Sequence, residues 1–392
     1  MSIKEDLKYF GGSGCFDEVL STSNLYMPSF EKVIGYLKEH RPSYANEYPL
    51  STMLEKRLCE YHDAEYCVLL SSGFWALVAA IKLKALKGRS NVIIPSMTYR
   101  RLADVVHWCD KTPVFVDVYE HNIAISVEAV RDSIDENTAL ILAVHPIVNC
   151  CDVDSFIELS NDVDVPVIFD AVESVHETYR GNRVGSFGVG EVFSFHASKL
   201  INGCEGGYIC TNDSLFASEL RSLMKFGRVK QGQATVVGTD ARPIEGHAAF
   251  ALAGLDEIDI NVKHNREIYK MYKELLGNVQ GIRLLEFAEN EQTSYKNVVV
   301  EVLEEYPLSR NSLVKFLNDE GLLARRHYDP PLHAKEYVYD VVIKDMTCTN
   351  KLRNRFVNMP CGSIVTTEDV KKIADILELV SRDSSFQELC LD

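Results

Sequence analysis

Short apolar runs rich in β-branched residues, each closed by a turn or polar residue, recur along the first half of the chain: Cys67–Ser71, Val92–Pro95, Val114–Asp117, Leu140–His145, Val165–Asp170, Val192–Phe195 and Tyr208–Thr211. Between them lie stretches of helical periodicity, notably Leu50–His62, Trp75–Leu86, Arg101–Cys109 and Leu215–Lys225, each beside a strand it could cover. Strands alternating with helices predict a sheet that is mostly parallel and buried on both faces. The expectation is therefore an α/β fold, a mostly parallel seven-stranded sheet covered by helices, over residues 41–247. Beyond Ala248 the pattern changes to longer helices, Ile258–Leu276, Ser309–Glu320 and Thr367–Val380, with strand-like Val298–Val302 among them. That predicts a smaller C-terminal α+β domain over residues 248–392, with residues 1–40 packing on it as an N-terminal segment.

Composition narrows the function by exclusion. With 46% hydrophobic and 25% charged residues in 392, the chain reads as folded throughout. Its 57 acidic against 41 basic residues give a net charge of -16, which repels nucleic acid and anionic membranes alike. The 11 cysteines form no CxxC pair, and Cys67 and Cys210 fall inside strand-like runs, so free thiols in a reducing cytoplasm are expected. The N-terminus has no apolar signal-peptide core, and the longest uncharged run, Tyr66–Ile81, is shorter than the roughly 20 residues that a spanning helix needs. Neither export nor membrane insertion is predicted.

Ligands of open α/β sheets gather beyond the carboxyl ends of the strands, so the residues just after each strand carry the most information. Ser72-Gly73-Phe74 forms a small-residue turn into a helix, whose first N–H groups suit a phosphate; many such turns are only turns. Asp170 follows three apolar residues, where a carboxylate needs a cation, a donor or a helix to cap. Lys199 lies in a loop of glycines and small polar residues, where a solvated surface lysine is the simplest account. His145 and His196 also stand at strand ends, but without metal-ligand spacing or a His/Cys cluster, so no metal site is expected.

Taken together, Asp170-x-x-Glu173, then Ser194-Phe195-His196-x-x-Lys199, then Glu205-Gly206-Gly207 before a strand resemble the DegT/DnrJ family of pyridoxal-phosphate-dependent sugar aminotransferases. Ser72-Gly73, Pro95-Ser96-Met97-Thr98-Tyr99, His145-Pro146 and Tyr328-x-x-Pro331-Leu332-His333 follow in the family's order. The resemblance implies the aspartate-aminotransferase-like architecture, fold type I, with pyridoxal 5'-phosphate as cofactor. By it, Lys199 holds the cofactor as a Schiff base and Asp170 pairs with the pyridine nitrogen. Glu173 meets the phenolic oxygen, Tyr99 stacks on the ring, and Ser72, Gly73, Phe74 and Ser194 form the phosphate cup. Asp240 corresponds to a residue given by a neighbouring subunit, which implies a homodimer with shared sites. Substrate-side residues would be His145, His196, Tyr328 and His333. The implied reaction moves an amino group from an amino acid, glutamate in the family, to a keto-sugar, nucleotide-linked or a sugar acid, for amino-sugar or polysaccharide biosynthesis.

Two positions depart from that pattern. Phe74 stands where the family carries Thr, leaving backbone donors for the phosphate, and Asp240 stands where it carries Asn. An ionised Asp240 would repel a phosphate unless turned away, protonated or paired with Arg242 or Arg228. Arg100, Arg101, Arg228, Lys230, Arg325 and Arg326 are the candidate cations for sugar-nucleotide phosphates. The rivals are a dehydratase of the same fold, which carries His in place of the lysine, and a binding or regulatory homologue without catalysis.

Overall fold

The structure, a computed structural model, describes residues 3–16, 18–23, 26–43, 48–227, 236–242 and 244–386. Arg228 and Lys230, two of the candidate cations, lie outside the described residues. The seven expected strands are present as β1 Tyr66–Leu70, β2 Asn91–Pro95, β3 Thr112–Val116, β4 Thr138–Val144, β5 Val167–Asp170, β6 Glu191–Ser194 and β7 Gly207–Thr211. Beyond residue 257 the chain adds β8 Ile282–Leu284, β9 Val298–Val302, β10 Arg325–Arg326, β11 Val342–Ile343 and β12 Phe356–Met359.

The large sheet has eight strands in the order β11-β3-β2-β4-β5-β6-β7-β1. All its pairings are parallel except those of β7 with β6 and with β1. The carboxyl ends of β1, β2, β4, β5 and β6 therefore share one edge, and Gly207 at the start of β7 sits there between Leu70 and Ser194. The strands are buried on both faces, which is why the sequence reads as unbroken apolar runs. Phe169 and Phe193, fully buried, each contribute on the order of 2 kcal/mol through burial alone.

Strand β8 pairs with β9, β9 with β12 and β12 with β10, all antiparallel, and the helices Ile258–Leu276 and Thr367–Arg382 pack against one another in the same core. Three features differ from the expected division of the chain. The helix Glu245–Asp256 packs on Pro49–His62, because its sequence is apolar all round and needs cover on several faces, so the large unit continues past residue 247. The N-terminal segment is divided: Leu7 and Leu20 enter the small unit's core, whereas the helix Phe30–Glu39 packs on Glu245–Asp256. The stretch from Leu332 to Met346 returns to the large unit and adds β11 to the edge of its sheet.

Candidate active site

Asp170 is the last residue of β5 and is 2% exposed. Its Oδ1 accepts a hydrogen bond from the Val172 N–H at 3.2 Å. Burial pushes its carboxyl up to about 6, against the pull of that N–H and of Lys199, and the Glu173 charge pushes the same way as burial. A carboxylate in this state sits in wait for a cation.

Two lysines meet on the next carboxylate. Lys199 Nζ donates to Glu173 Oε1 and Lys296 Nζ donates to Glu173 Oε2. Burial works against the charge of Glu173, but Lys199 and then Lys296 outweigh it and hold the carboxyl well below the usual range. Lys199 is thus a buried ion-pair partner, its side chain 16% exposed, and no surface lysine. Lys296, 5% exposed, precedes β9 and reaches across from the small unit. Sequence reasoning missed it: a single lysine between Tyr295 and an apolar strand carries no motif, and only the tertiary fold brings it to Glu173.

Beside β6 the backbone is cramped in a way only small residues allow. A Cβ added at Gly73 would lie 2.8 Å from Ser194 Cβ, and one added at Gly207 would lie 2.6 Å from the Gly73 nitrogen. The helix Gly73–Lys84 begins two residues earlier than its apolar periodicity suggested, because Ser72 caps it through a 3.2 Å bond from Trp75 N–H to Ser72 Oγ. The Gly73 and Phe74 N–H groups consequently fall in the first turn, beside Ser194, where a helix has no internal acceptors to offer. The Phe74 side chain packs into the core under the sheet. Tyr99 is 45% exposed, so core packing does not account for it.

His145 stacks on Phe169 with ring centroids 5.4 Å apart, and its Nδ1 accepts from the Cys151 N–H at 3.3 Å. Its buried Nε2 and the Thr98 Oγ1 have no partner, and both residues line one small cavity with Tyr328. Burial, then the charges of Glu173 and Asp170, push the Tyr328 phenol far up, so it stays protonated in the field of both carboxylates. Its neighbour His327 is buried, neutral and lowered to about 3 by burial. His196 is on the rim, half exposed, with Nδ1 bonded to Ser198 Oγ at 2.9 Å. His333 has both ring nitrogens engaged, Nδ1 with Ser96 Oγ at 2.6 Å and Nε2 with Asn350 Oδ1 at 3.1 Å, and so fastens the returning stretch to the end of β2.

Asp240 is half exposed, and Arg242 Nε donates to its Oδ1 at 2.9 Å. Of the three resolutions open for this residue, pairing with Arg242 is the one observed. Among the candidate cations, Arg100 and Arg101 are exposed beside Tyr99, with Lys335 donating to the Arg100 carbonyl, while Arg326 is paired with Asp329 at 2.9 Å. Among the described residues no cluster of three or more His, Cys, Asp or Glu could hold a metal ion.

A profile of the DegT/DnrJ/EryC1/StrS aminotransferase family matches residues 31–378. The chain belongs to that family. It is 27% identical over 306 residues to a dTDP-4-amino-4,6-dideoxy-D-glucose transaminase of Shigella dysenteriae, covering 78% of this chain and 83% of the relative. To a GDP-perosamine synthase of Vibrio cholerae it is 24% identical over 328 residues, 83% of this chain and 89% of the relative. The crystal structure of DesI with its TDP-sugar product superposes with a TM-score of 0.89 at 26% identity, covering 97% of both chains.

As a DegT/DnrJ/EryC1/StrS aminotransferase the protein works with pyridoxal 5'-phosphate. The residues present fit that group. A buried carboxylate in want of a cation, an amine on an inward-facing side chain and a glycine-lined turn at a helix start lie at one sheet edge. Together they match a pyridine nitrogen, an aldehyde and a phosphate in chemistry.

Proposed function

We propose that this protein transaminates a nucleotide-linked keto-sugar, with an amino acid, glutamate first among the candidates, as the amino donor. The observation that carries the reading is the placement of the Asp170 carboxylate at the end of β5 and of Lys199 in the loop that follows β6, its neighbour in the sheet, with Glu173 against Lys199. Support for the substrate class comes from the relatives, whose names specify dTDP- and GDP-linked sugars.

In this reading Lys199 binds the cofactor, and Asp170, Glu173, Ser72, Gly73, Phe74, Ser194 and Tyr99 hold it in place. When bound, pyridoxal phosphate supplies an aldehyde that takes up the amino group and a ring that withdraws electrons from the reacting carbon. Asp170 keeps a proton on the ring nitrogen, because a buried carboxylate stabilises the cation that lowers its own burial cost. The first-turn N–H groups of Gly73 and Phe74, with the Ser194 hydroxyl, bind the phosphate. Lys199, as a free amine, would be the group that moves a proton between carbon atoms. Tyr328 and His145 line the substrate side, where a protonated phenol donates hydrogen bonds.

A homodimer with shared sites is part of the same reading. Val237 is 94% exposed and Ile244 63%, both close to Asp240 in the chain, and Phe226, beneath the Arg242 guanidinium, is also exposed, apolar surface that a two-fold partner would cover. A cytoplasmic setting accords with the free thiols; among the described residues no helix is long and apolar enough to cross a membrane.

The test follows the visible absorption of the protein loaded with pyridoxal phosphate. Glutamate is expected to bleach the band, and a dTDP- or GDP-linked 4-keto-6-deoxyhexose to restore it. A band that no amino acid bleaches would overturn the transaminase.

A further inference from the structure

A lysine amine condenses with an aldehyde only as the free base: its lone pair forms the C–N bond, the carbonyl oxygen leaves as water, and the ammonium proton must first go to solvent. In this structure the Lys199 amine is held by a carboxylate, an arrangement that by itself would keep it an ammonium. Deprotonating it would also leave a buried carboxylate without its counter-ion, which is costly. The same carboxylate, however, carries a second ammonium on its other oxygen, from a lysine 5% exposed. We propose that Lys296 is a positioning residue for cofactor capture: it stays on Glu173 as the permanent counter-ion, and its charge beside Lys199 frees the Lys199 amine to lose its proton and react. The inference rests on the reading of Lys199 as the cofactor-binding lysine.

The arrangement favours this role over simple stapling of the two units. Lys296 bonds Glu173 Oε2 and leaves Oε1 to Lys199, so the two ammonium groups share one negative charge and repel one another. A neighbouring cation is a recognised way of freeing a lysine amine at neutral pH. The other ionisable groups facing the cluster are Asp170, Glu177, His327, Tyr328 and Cys361. Burial raises the Asp170 carboxyl to about 6 and the Lys199 charge pulls it the other way, but the carboxylate that the Lys199 amine bonds is Glu173. His327 is lowered to about 3 by burial and adds no charge at neutral pH. The Lys296 backbone is itself fixed, its carbonyl accepting from Cys361 Sγ at 3.0 Å.

The test measures the rate at which the cofactor-free protein captures pyridoxal phosphate, as borohydride-trapped adduct, against pH. Wild type, Lys296→Met, Lys296→Met with Glu173→Gln, and Lys199→Ala are compared. Lys296→Met is expected to move the midpoint up by about one pH unit, so that capture below it is about tenfold slower. Adding Glu173→Gln removes the anion that then holds Lys199 and returns the midpoint toward wild type. A Lys296→Met curve that superimposes on wild type, or one slowed equally at every pH with its midpoint unmoved, would overturn the proposal. If Lys296→Met does not fold, Lys296→Gln, which keeps the length and polarity, carries the same comparison. Capture left intact by Lys199→Ala would overturn the functional reading itself, and this inference with it.

Discussion

At the scale of single residues, Asp170 shows how burial prepares a group for a ligand. Its carboxyl is raised to about 6, so between the ordinary range near 4 and about 6 the folded chain holds more protons than the unfolded one. Stability of the cofactor-free protein therefore declines with rising pH through that window, and a bound cation reverses the effect. Asp170→Asn is expected to raise the melting temperature of the cofactor-free protein at pH 7 but not at pH 4, and to lower the transamination rate by about 10²–10³. Equal melting shifts at both pH values would contradict the assignment. Asp170 stood out at its strand end, whereas Lys199 and Glu173 were singled out by the resemblance of the spaced motif to a family and not by position alone. Lys296 was not legible in the sequence, and neither were the orphaned Thr98 hydroxyl and His145 Nε2, because partners far apart in sequence decide what those atoms meet.

At the scale of elements, the turn from β1 into the helix Gly73–Lys84 carries the clearest constraint. Gly207, Gly73 and Ser194 come from three elements and approach more closely than any side chain at either glycine permits. Gly73→Ala would press a methyl group 2.8 Å from Ser194 Cβ, at the place where the phosphate is proposed to bind. The expected result is at least a roughly tenfold weaker hold on pyridoxal phosphate, measured by equilibrium dialysis, in a protein that still melts cooperatively. Unchanged affinity would remove this turn from the site. The seven strands β1 to β7 were foreseeable to within about two residues, since strands buried on both faces announce themselves as apolar runs. Strand β11 was not: Val342 and Ile343 are an exposed pair on the edge, and the run Val341–Ile343 is only three residues long between Asp340 and Lys344. The helix Gly73–Lys84 was expected two residues late because its start is set by the Ser72 cap rather than by apolar periodicity.

At the scale of the whole molecule, the proposed site draws on both units. The large unit supplies Asp170, Glu173, Ser194 and Lys199; from beyond residue 257 come Lys296 and Tyr328, and the returning Leu332–Met346 stretch fastens His333 to the end of β2. The sequence divides the chain by its change of pattern, but the crossing contacts depend on how the units dock, which no local pattern encodes. Lys199, and not the lysine that shares its carboxylate, is proposed to carry the cofactor. Borohydride reduction of the protein loaded with pyridoxal phosphate, followed by peptide mapping, distinguishes the two lysines. One reduced adduct, on Lys199, is expected; an adduct on Lys296 in its place, or none on either, would overturn the assignment of Lys199.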